Sequence, residues 1–230
     1  YLALDLNTHL SVVAYDFHMQ LQCRGIKMYF IVYDILLVQH PEWWPPGTSE
    51  EFETWLKSIS KVSTGLICIS ESVASEVRAW LEQNPPKRLN MPHLSSFHLG
   101  ADVENSMPSI GLPADAQMVL NKLSASTSFL LVGTLEPRKG QAQALGAFEL
   151  LWSQGADLNL VIVGKQGWMV DALVQKIRNH PELNKRIFWL EGISDEYLAR
   201  LYDVSACLVA ASEGEGFGLP LIDAAKYHKP

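Results

Sequence analysis

Two short segments in the second half of the chain combine residue types that could bind an anion and hydroxyl groups. The first, residues 132–140 (VGTLEPRKG), places Arg138 and Lys139 side by side between an apolar run and a segment of helical period. Arginine gives phosphate oxygens paired hydrogen bonds, lysine supplies a compact charge, and a helix N-terminus offers unpaired N–H groups. The segment therefore predicts a diphosphate site. Adjacent charges also occur in ordinary solvated turns, so that alternative stays open.

The second segment, residues 211–223 (ASEGEGFGLPLID), contains three glycines and a proline. Two of its carboxylates, Glu215 and Asp223, are separated by seven residues. Glycine lets a backbone approach a ligand closely, and Pro220 suits the first turn of a following helix. Both carboxylates could then accept hydrogen bonds from sugar or ribose hydroxyl groups. For Asp223 the alternative is an interaction with the dipole of that helix.

The elements that must position these segments are predicted from the hydrophobic period. Short apolar runs predict strands at residues 128–133, 158–164, 186–190 and 206–210. Segments of helical period predict helices at residues 141–152, 168–180 and 195–203, the last with Ser194 as its N-cap. This alternation predicts a parallel sheet covered on both faces, which binds ligands at the carboxyl ends of its strands.

The first half of the chain repeats the pattern more loosely, with strands predicted at residues 27–33 and 65–70 and a helix at residues 71–81. Residues 84–126 are rich in proline, serine and asparagine, and they contain no strong periodic segment longer than a strand. We therefore predict two α/β lobes that face each other across a cleft. The predicted lobes are residues 1–97 and 127–230, joined by a connection at residues 98–126.

Composition disfavours several classes of protein. With 48% hydrophobic residues among 230, the chain can form a substantial core, and its net charge of -7 disfavours a nucleic-acid partner. The cysteines, Cys23, Cys68 and Cys207, are predicted to be reduced and buried. No apolar stretch approaches the roughly 20 residues of a membrane-spanning helix, and no metal-binding constellation is present. The sequence predicts a cytoplasmic protein, soluble or at most peripheral to the inner face of the plasma membrane.

Together, VGTLEPRKG and EGFGLPLID carry a resemblance to a known family. The chain resembles family 4 glycosyltransferases of the GT-B fold, especially the bacterial mannosyl- and rhamnosyltransferase-like group that assembles O-antigen and other surface polysaccharides. Weaker support comes from residues 98–102 (HLGAD), 161–168 (VIVGKQGW), 188–196 (FWLEGISDE) and 33–41 (YDILLVQHP). The resemblance implies an α/β protein with two Rossmann-like lobes. Both lobes are expected to be incomplete, because relatives begin with a further strand and glycine-rich turn and continue past the second motif.

The resemblance implies metal-independent transfer of a hexose, with retention, from a nucleotide sugar to a growing lipid-linked glycan. GDP-mannose is the first expectation for the donor, GDP- or dTDP-rhamnose comes next, and no cofactor is expected. Arg138 and Lys139 would neutralise the diphosphate. Glu215 would contact the donor sugar, and Asp223, which replaces the family's glutamate, would contact the ribose. The implied donor contacts, with residues 190–193 facing the nucleobase, are Gly133, Thr134, Arg138, Lys139, Leu190, Gly192, Ile193, Gly216, Phe217, Gly218, Leu219 and Asp223.

Departures from the family pattern keep other functions open. Tyr33 and Asp34 stand where many relatives have a histidine and an aspartate near the reacting sugar, so Asp34 is expected to act through hydrogen bonding. With the change at Asp223, this favours an inactive α/β module that binds a nucleotide sugar or a partner protein as one alternative. A GT-B nucleotide-sugar 2-epimerase is another, against which the LEPRKG segment argues. Trp43 and Trp44 could form an exposed patch or a locally packed loop.

Overall fold

The computed structural model describes residues 1–100 and 107–230. The chain forms two compact units, each with its own parallel sheet. The first unit comprises Tyr1–Gly100 and Glu215–Phe217, and the second comprises Ala101–Gly214 and Gly218–Pro230. The prediction of an α/β protein with two parallel sheets is confirmed.

The sheet of the first unit has the strand order β1-β2-β3-β4, with every neighbouring pair parallel. Its strands are β1 (Leu2–Ala3), β2 (Tyr29–Val32), β3 (Gly65–Cys68) and β4 (His93–Ser96). Its helices are α1 (Thr8–Val13), α2 (Tyr15–Cys23), α3 (Leu36–Gln39), α4 (Thr48–Val62) and α5 (Glu71–Gln83). Strands β2 and β3 and helix α5 were predicted from the sequence, and the other elements were not.

Helix α4 covers the first core because its apolar residues recur every three or four positions. These buried side chains, each at most 2% exposed, are Phe52, Trp55, Leu56 and Ile59. Thr54 and Lys57, between them in the sequence, are exposed. Burying each apolar side chain stabilises the fold by roughly 1.5–3 kcal/mol relative to leaving it in water. This spacing of apolar residues is visible in the sequence, although we did not predict α4 from it.

The sheet of the second unit has the strand order β7-β6-β5-β8, again with parallel neighbours. Its strands are β5 (Thr127–Val132), β6 (Leu158–Val163), β7 (Ile187–Leu190) and β8 (Cys207–Leu208). Its helices are α6 (Ala116–Ala125), α7 (Gln141–Ser153), α8 (Asp171–Arg178), α9 (Asp195–Val204) and α10 (Leu219–Lys226). Strands and helices therefore alternate from β5 to α10, as the hydrophobic period predicted.

Strand β6 shows how the second sheet is buried on both faces. Val161 and Val163 belong to one core cluster, whereas Leu160 and Ile162 belong to another. Successive side chains of a strand point to opposite faces, so these two clusters lie on the two sides of the sheet. All four side chains are at most 7% exposed. The near-continuous apolar run is explained by this burial.

The predicted boundaries of the second unit agree with the structure to within three residues. Ser194 caps α9, as expected, because its Oγ accepts a hydrogen bond from the Tyr197 N–H at 3.1 Å. The prediction for α8 was too long at its start. Met169 has a φ of 55°, and a helix does not continue through this left-handed conformation.

Helix α6 contradicts the expectation that residues 84–126 contain no long periodic element. Its buried residues, Ala116, Val119, Leu120 and Leu123, follow a helical period and pack in the core of the second unit. The predicted lobe boundaries at residues 97 and 127 stay predictions. Of the HLGAD segment, residues 101 and 102 lie outside the described residues.

None of the three cysteines forms a disulfide, but they differ in burial. Cys68 is buried in β3, and this burial raises the pKa of its thiol to about 11. Cys207 is partly buried in β8. Cys23 is exposed near the end of α2, so the prediction of burial was wrong for this residue, which lies outside any strand.

Residues 109–111, here called the strap, are fixed to the N-terminus of α9. The Asp195 carboxylate accepts hydrogen bonds from the Ser109 N–H at 2.8 Å and its hydroxyl at 2.7 Å. Glu196 accepts one from the Gly111 N–H at 2.9 Å, and the Ser194 hydroxyl donates to the Gly111 carbonyl at 2.6 Å. The strap thereby pairs with the polar groups that open the helix.

These bonds predict an acid-sensitive attachment. The bonds from Ser109 lower the pKa of Asp195, and the Gly111 N–H lowers the pKa of Glu196. Lowered folded-state pKa values mean that the stabilisation is complete above the unfolded-state values of about 4 and is lost as the pH falls through the folded-state values. We expect Asp195→Asn to reduce the dependence of the urea unfolding midpoint on pH between about pH 6 and pH 3. Asp203→Asn, at the other end of α9, is the control and should leave that dependence unchanged. Equal pH profiles for Asp195→Asn and the original chain would contradict this assignment.

Candidate functional site

The order of strands in the second sheet identifies an edge where a ligand can bind. From β5 the chain proceeds to β6 and β7 on one side, and then returns to β8 on the other side of β5. β6 and β8 therefore lie on opposite sides of β5, and the chain reverses its direction across the sheet between β7 and β8. Open parallel sheets bind ligands at such a switch point, at the carboxyl ends of the strands. We call residues 133–140 the β5 loop and residues 209–214 the β8 loop.

The β5 and β8 loops are packed backbone against backbone. Gly140 has a φ of 68°, and a Cβ added to it would lie 2.1 Å from the Ala211 carbonyl oxygen. The Glu213 N–H also donates to the Arg138 carbonyl at 2.8 Å. Only glycine combines this conformation with this approach, so Gly140 joins the two loops immediately before α7 begins.

Arg138 links the same two loops through its side chain. Its Nε is 3.1 Å from Glu136 Oε2, and its Nη1 donates to the Gly214 carbonyl at 2.9 Å. The Arg138 and Glu136 side chains are only 15% and 8% exposed. The charge of Arg138 is therefore partly offset inside the protein, and this side chain has a structural role that the sequence did not predict.

Lys139 lies over the first residue of the β5 loop. The position that a Cβ would take on Gly133 is 3.7 Å from Lys139 Cδ and 3.9 Å from its Nζ. The Thr134 carbonyl accepts a hydrogen bond from Gln141 Nε2 at 2.9 Å. Gln141, a buried polar residue at the start of α7, was missed from the sequence, where a polar residue before an apolar run was the available signal.

Two further loops adjoin the β5 loop at this edge: the β6 loop, residues 164–170, and the β7 loop, residues 191–193. A Cβ added to Gly164 would lie 2.0 Å from the Gly133 carbonyl oxygen, so these two backbones are in contact. The Gly164 N–H donates to the Leu190 carbonyl at 3.0 Å. The side chains of Leu190 and Ile193 pack against the core, whereas Gly192 is exposed. At the β7 loop the exposed residues are therefore Glu191 and Gly192.

Asp223 lies on α10, where Pro220 occupies the first turn as predicted. Its side chain lines a cavity of about 570 Å³ formed by residues 107–110, α9 and the end of the chain, including Tyr202, Tyr227 and Lys226. Burial raises the pKa of the Asp223 carboxyl, and Lys226 partly opposes this effect. Among the described residues, those of the β5 loop do not line this cavity, so Asp223 does not share it with Lys139.

Of the remaining predicted residues, Gly218 and Leu219 belong to the second unit, and the others belong to the first. The place of a Cβ on Gly216 is 2.7 Å from the Tyr33 carbonyl oxygen and 3.2 Å from Asp34 Cβ, so Gly216 lies directly on this pair. Ser70, missed from the sequence, donates from its Oγ to the Gly216 carbonyl at 3.2 Å. Phe217 packs against the core of the first unit, and Glu215 is exposed.

Within the same unit, Tyr33 and Asp34 already have hydrogen-bond partners. Tyr33 donates from its hydroxyl to the Leu4 carbonyl at 2.7 Å, and Asp34 accepts from the Leu36 N–H at 3.1 Å. Trp43 is 9% exposed and stacks on His40 with ring centres 3.9 Å apart. This favours the packed loop over an exposed patch at that position.

The described part of the chain lacks two further features, a membrane-spanning helix and a metal-binding cluster. No helix within residues 1–100 and 107–230 is both long and apolar enough to span a bilayer. Across those same ranges, no group of three or more His, Cys, Asp or Glu side chains is placed to hold a metal ion.

The fold defines the class of protein. The Anabaena protein Alr3699/HepE, solved in complex with UDP and glucose, superposes with a TM-score of 0.68 at 16% identity, over 97% of this chain and 56% of that one. The trehalose-6-phosphate synthase OtsA gives a TM-score of 0.62 at 13% identity, over 94% of this chain and 53% of its own. At these identities the likeness concerns the fold alone. The chain has the α/β architecture of the GT-B fold, with two parallel sheets.

Sequence comparison relates part of the chain to a known family. Residues 118–230 match the family described as "Glycosyl transferases group 1". It is 48% identical over its whole length to the Escherichia coli serotype-specific mannosyltransferase WbdA, of which it covers 28%. It is 35% identical over 118 residues, 49% of this chain and 30% of the relative, to the E. coli O-antigen chain mannosyltransferase B. The chain thus spans less than a third of the length of these curated relatives.

The contact at Gly140 predicts a loss of stability on substitution. Gly140→Ala forces a left-handed alanine, which costs about 1–3 kcal/mol, and places its methyl group against the Ala211 carbonyl. We expect a corresponding fall in the free energy of unfolding in urea. Gly146→Ala is the matched control, because Gly146 lies within α7 and a Cβ there meets nothing within 4 Å. That variant should gain about 0.5–1 kcal/mol. A free energy of unfolding in Gly140→Ala that is unchanged, or raised as in Gly146→Ala, would show that the two loops do not constrain this position.

Proposed function

We propose that the chain is the donor-binding part of a mannosyltransferase, which takes mannose from GDP-mannose and adds it to a growing glycan. The observation that carries the proposal is the position of Lys139 over Gly133, at the switch point between β5 and β8. The mannosyltransferase names of the E. coli relatives support the choice of sugar. GDP is the nucleotide we expect with mannose, with dTDP- or GDP-rhamnose as the next choice.

In this proposal Lys139 binds the diphosphate. Its ammonium lies beside the backbone of Gly133, which follows β5, and α7 begins two residues after Lys139. The N-terminus of a helix favours an anion. Negative charge develops on the diphosphate as the sugar leaves, so a fixed cation there lowers the barrier. Arg138 contributes by holding the β5 and β8 loops together and by adding positive charge nearby, since its Nε and Nη1 are already hydrogen-bonded.

The other donor contacts are assigned to the β7 loop, to residues 215–219 and to α10. The exposed backbone around Gly192 is assigned to the nucleobase, with Leu190 and Ile193 packed beneath it. Asp223 is assigned to the ribose hydroxyls, because a carboxylate accepts hydrogen bonds from two neighbouring hydroxyl groups. Glu215 is assigned to the mannose, together with the backbone of Gly216, Phe217, Gly218 and Leu219.

The chemistry proposed is transfer with retention and without a metal ion. The acceptor hydroxyl attacks the anomeric carbon from the side of the leaving diphosphate. As the new glycosidic bond forms and the old bond to phosphate breaks, the hydroxyl proton passes to the departing phosphate oxygen. This route needs no side-chain base, so Asp34 acts by hydrogen bonding, in keeping with its bond to Leu36 N–H. Catalysis then depends on positioning and on stabilising the diphosphate charge.

A binding module without turnover is the second candidate function. It is favoured by the pairing of Arg138 with Glu136, which reduces the positive charge available to a leaving group. It is also favoured by the position of Asp223 in a cavity that the β5 loop does not line. Binding of donor without transfer would support this candidate. Peripheral association with the inner face of the plasma membrane and a lipid-linked acceptor stay predictions.

Replacement of Lys139 tests the donor site. We expect Lys139→Ala to weaken GDP binding about 10- to 100-fold, because a charged hydrogen bond contributes roughly 1.5–3 kcal/mol. Calorimetric titration of GDP, UDP and dTDP, without added metal and then with magnesium, measures this. Lys185→Ala is the control, since Lys185 precedes β7 and lies at the opposite edge of the sheet. Unaltered GDP affinity in Lys139→Ala would exclude the proposed diphosphate contact.

Transfer itself is tested with GDP-mannose and a mannose-terminated acceptor in the presence of a chelator. We expect product with the anomeric configuration of the donor, identified by proton NMR, at a rate that the chelator does not change. Inversion would overturn the proposed route, and loss of activity with the chelator would overturn metal independence. Absence of product despite GDP-mannose binding would favour the second candidate.

A further inference from the structure

Lys165, in the β6 loop, is a cation at the carboxyl edge to which none of the contacts above assigns a role. Its backbone is held from both sides. The Lys165 carbonyl accepts a hydrogen bond from the Leu135 N–H at 2.9 Å, and the N–H of the next residue, Gln166, donates to Glu191 Oε1 at 3.2 Å. Lys165 is therefore fixed between the β5 loop and the β7 loop.

The Lys165 side chain is exposed and lies along the β7 loop. Its Cε is 3.9 Å from the position that a Cβ would take on Gly192. The preceding residue, Gly164, touches the backbone of Gly133, over which Lys139 lies. Lys139 and Lys165 thus come from adjoining loops, with Lys165 on the side of the loop assigned to the nucleobase.

A nucleoside diphosphate is a multiply charged anion, and the described contacts leave its charge only partly balanced. Glu136 offsets the charge of Arg138, and Lys139 supplies one ammonium group. A second ammonium between Lys139 and the base-facing loop would meet the phosphate nearest the ribose. Lysine suits this role because it is a compact charge on a flexible stem.

We propose that Lys165 binds the α-phosphate of the donor, the phosphate attached to the ribose, while Lys139 binds the β-phosphate. This inference rests on the proposed function, since it requires a nucleotide at the carboxyl edge of the second sheet. It divides the diphosphate between two loops. A nucleoside monophosphate and a nucleoside diphosphate should therefore depend differently on the two lysines.

The test compares guanosine, GMP and GDP by displacement calorimetry on the 230-residue chain. We expect Lys165→Ala to lower the affinities for GMP and GDP by about the same factor, roughly 10-fold for one charged hydrogen bond. The affinity for guanosine should stay unchanged. Lys139→Ala should lower the affinity for GDP but not that for GMP. Lys165→Arg should recover most of the affinity, because it restores the positive charge. Since Lys165 is exposed, thermal unfolding of the two Lys165 variants should match that of the original chain.

Lys185→Ala again serves as the matched control, being a lysine of the same unit at the opposite edge of the sheet. Suppose that Lys165→Ala binds GMP and GDP as tightly as Lys185→Ala does, while Lys139→Ala has a lower affinity for GDP. The assignment of Lys165 to the α-phosphate is then wrong, and the proposed function stands. An equal loss for guanosine would place Lys165 on the base and overturn the phosphate assignment. If the unsubstituted chain binds none of the three ligands, the proposed function fails and this inference fails with it.

Discussion

Close contact between backbones at the carboxyl edge of the second sheet is the constraint on which the rest of that surface depends. A Cβ would collide with the Gly133 carbonyl oxygen if added to Gly164, with Ala211 if added to Gly140, and with Leu135 if added to Gly167. Three loops that leave different strands therefore touch without intervening side chains. The relative positions of the charged groups above them are set by main-chain geometry, which varies less than the rotamers of long side chains.

This arrangement depends in turn on a sheet that cannot shift. In β6, Leu160 and Ile162 pack on one face while Val161 and Val163 pack on the other, so sliding the strand by one residue would exchange the two cores. The partly buried pair of Glu136 and Arg138 then orders the loop above it. Such a pair adds little stability by itself, because desolvation opposes the attraction, but its geometry is specific.

Much of the second unit could be predicted because its strands and helices carry their own local signals. The N-cap at Ser194 and the proline at the start of α10 are examples. The two segments at residues 132–140 and 211–223 were also identified from their residue types. The pairing of Arg138 with Glu136 and Gly214, the contact of Gly216 with Tyr33, and the cavity beside Asp223 could not be predicted. Each depends on groups far apart in the sequence or on the direction of a side chain, and neither hydrophobic period nor residue type encodes these.

The strap has a consequence for where the second unit can be divided from the chain. Ser109 and Asp195 are joined by hydrogen bonds from both backbone and side-chain groups, and the Gly111 N–H donates to Glu196. The start of α9 is therefore completed by residues that precede α6 in the sequence. Recombinant expression of the second unit alone should therefore begin before Ser109. A boundary drawn at α6, the first regular element, would remove the hydrogen bonds that the strap makes with the carboxylates of Asp195 and Glu196 and with the hydroxyl of Ser194.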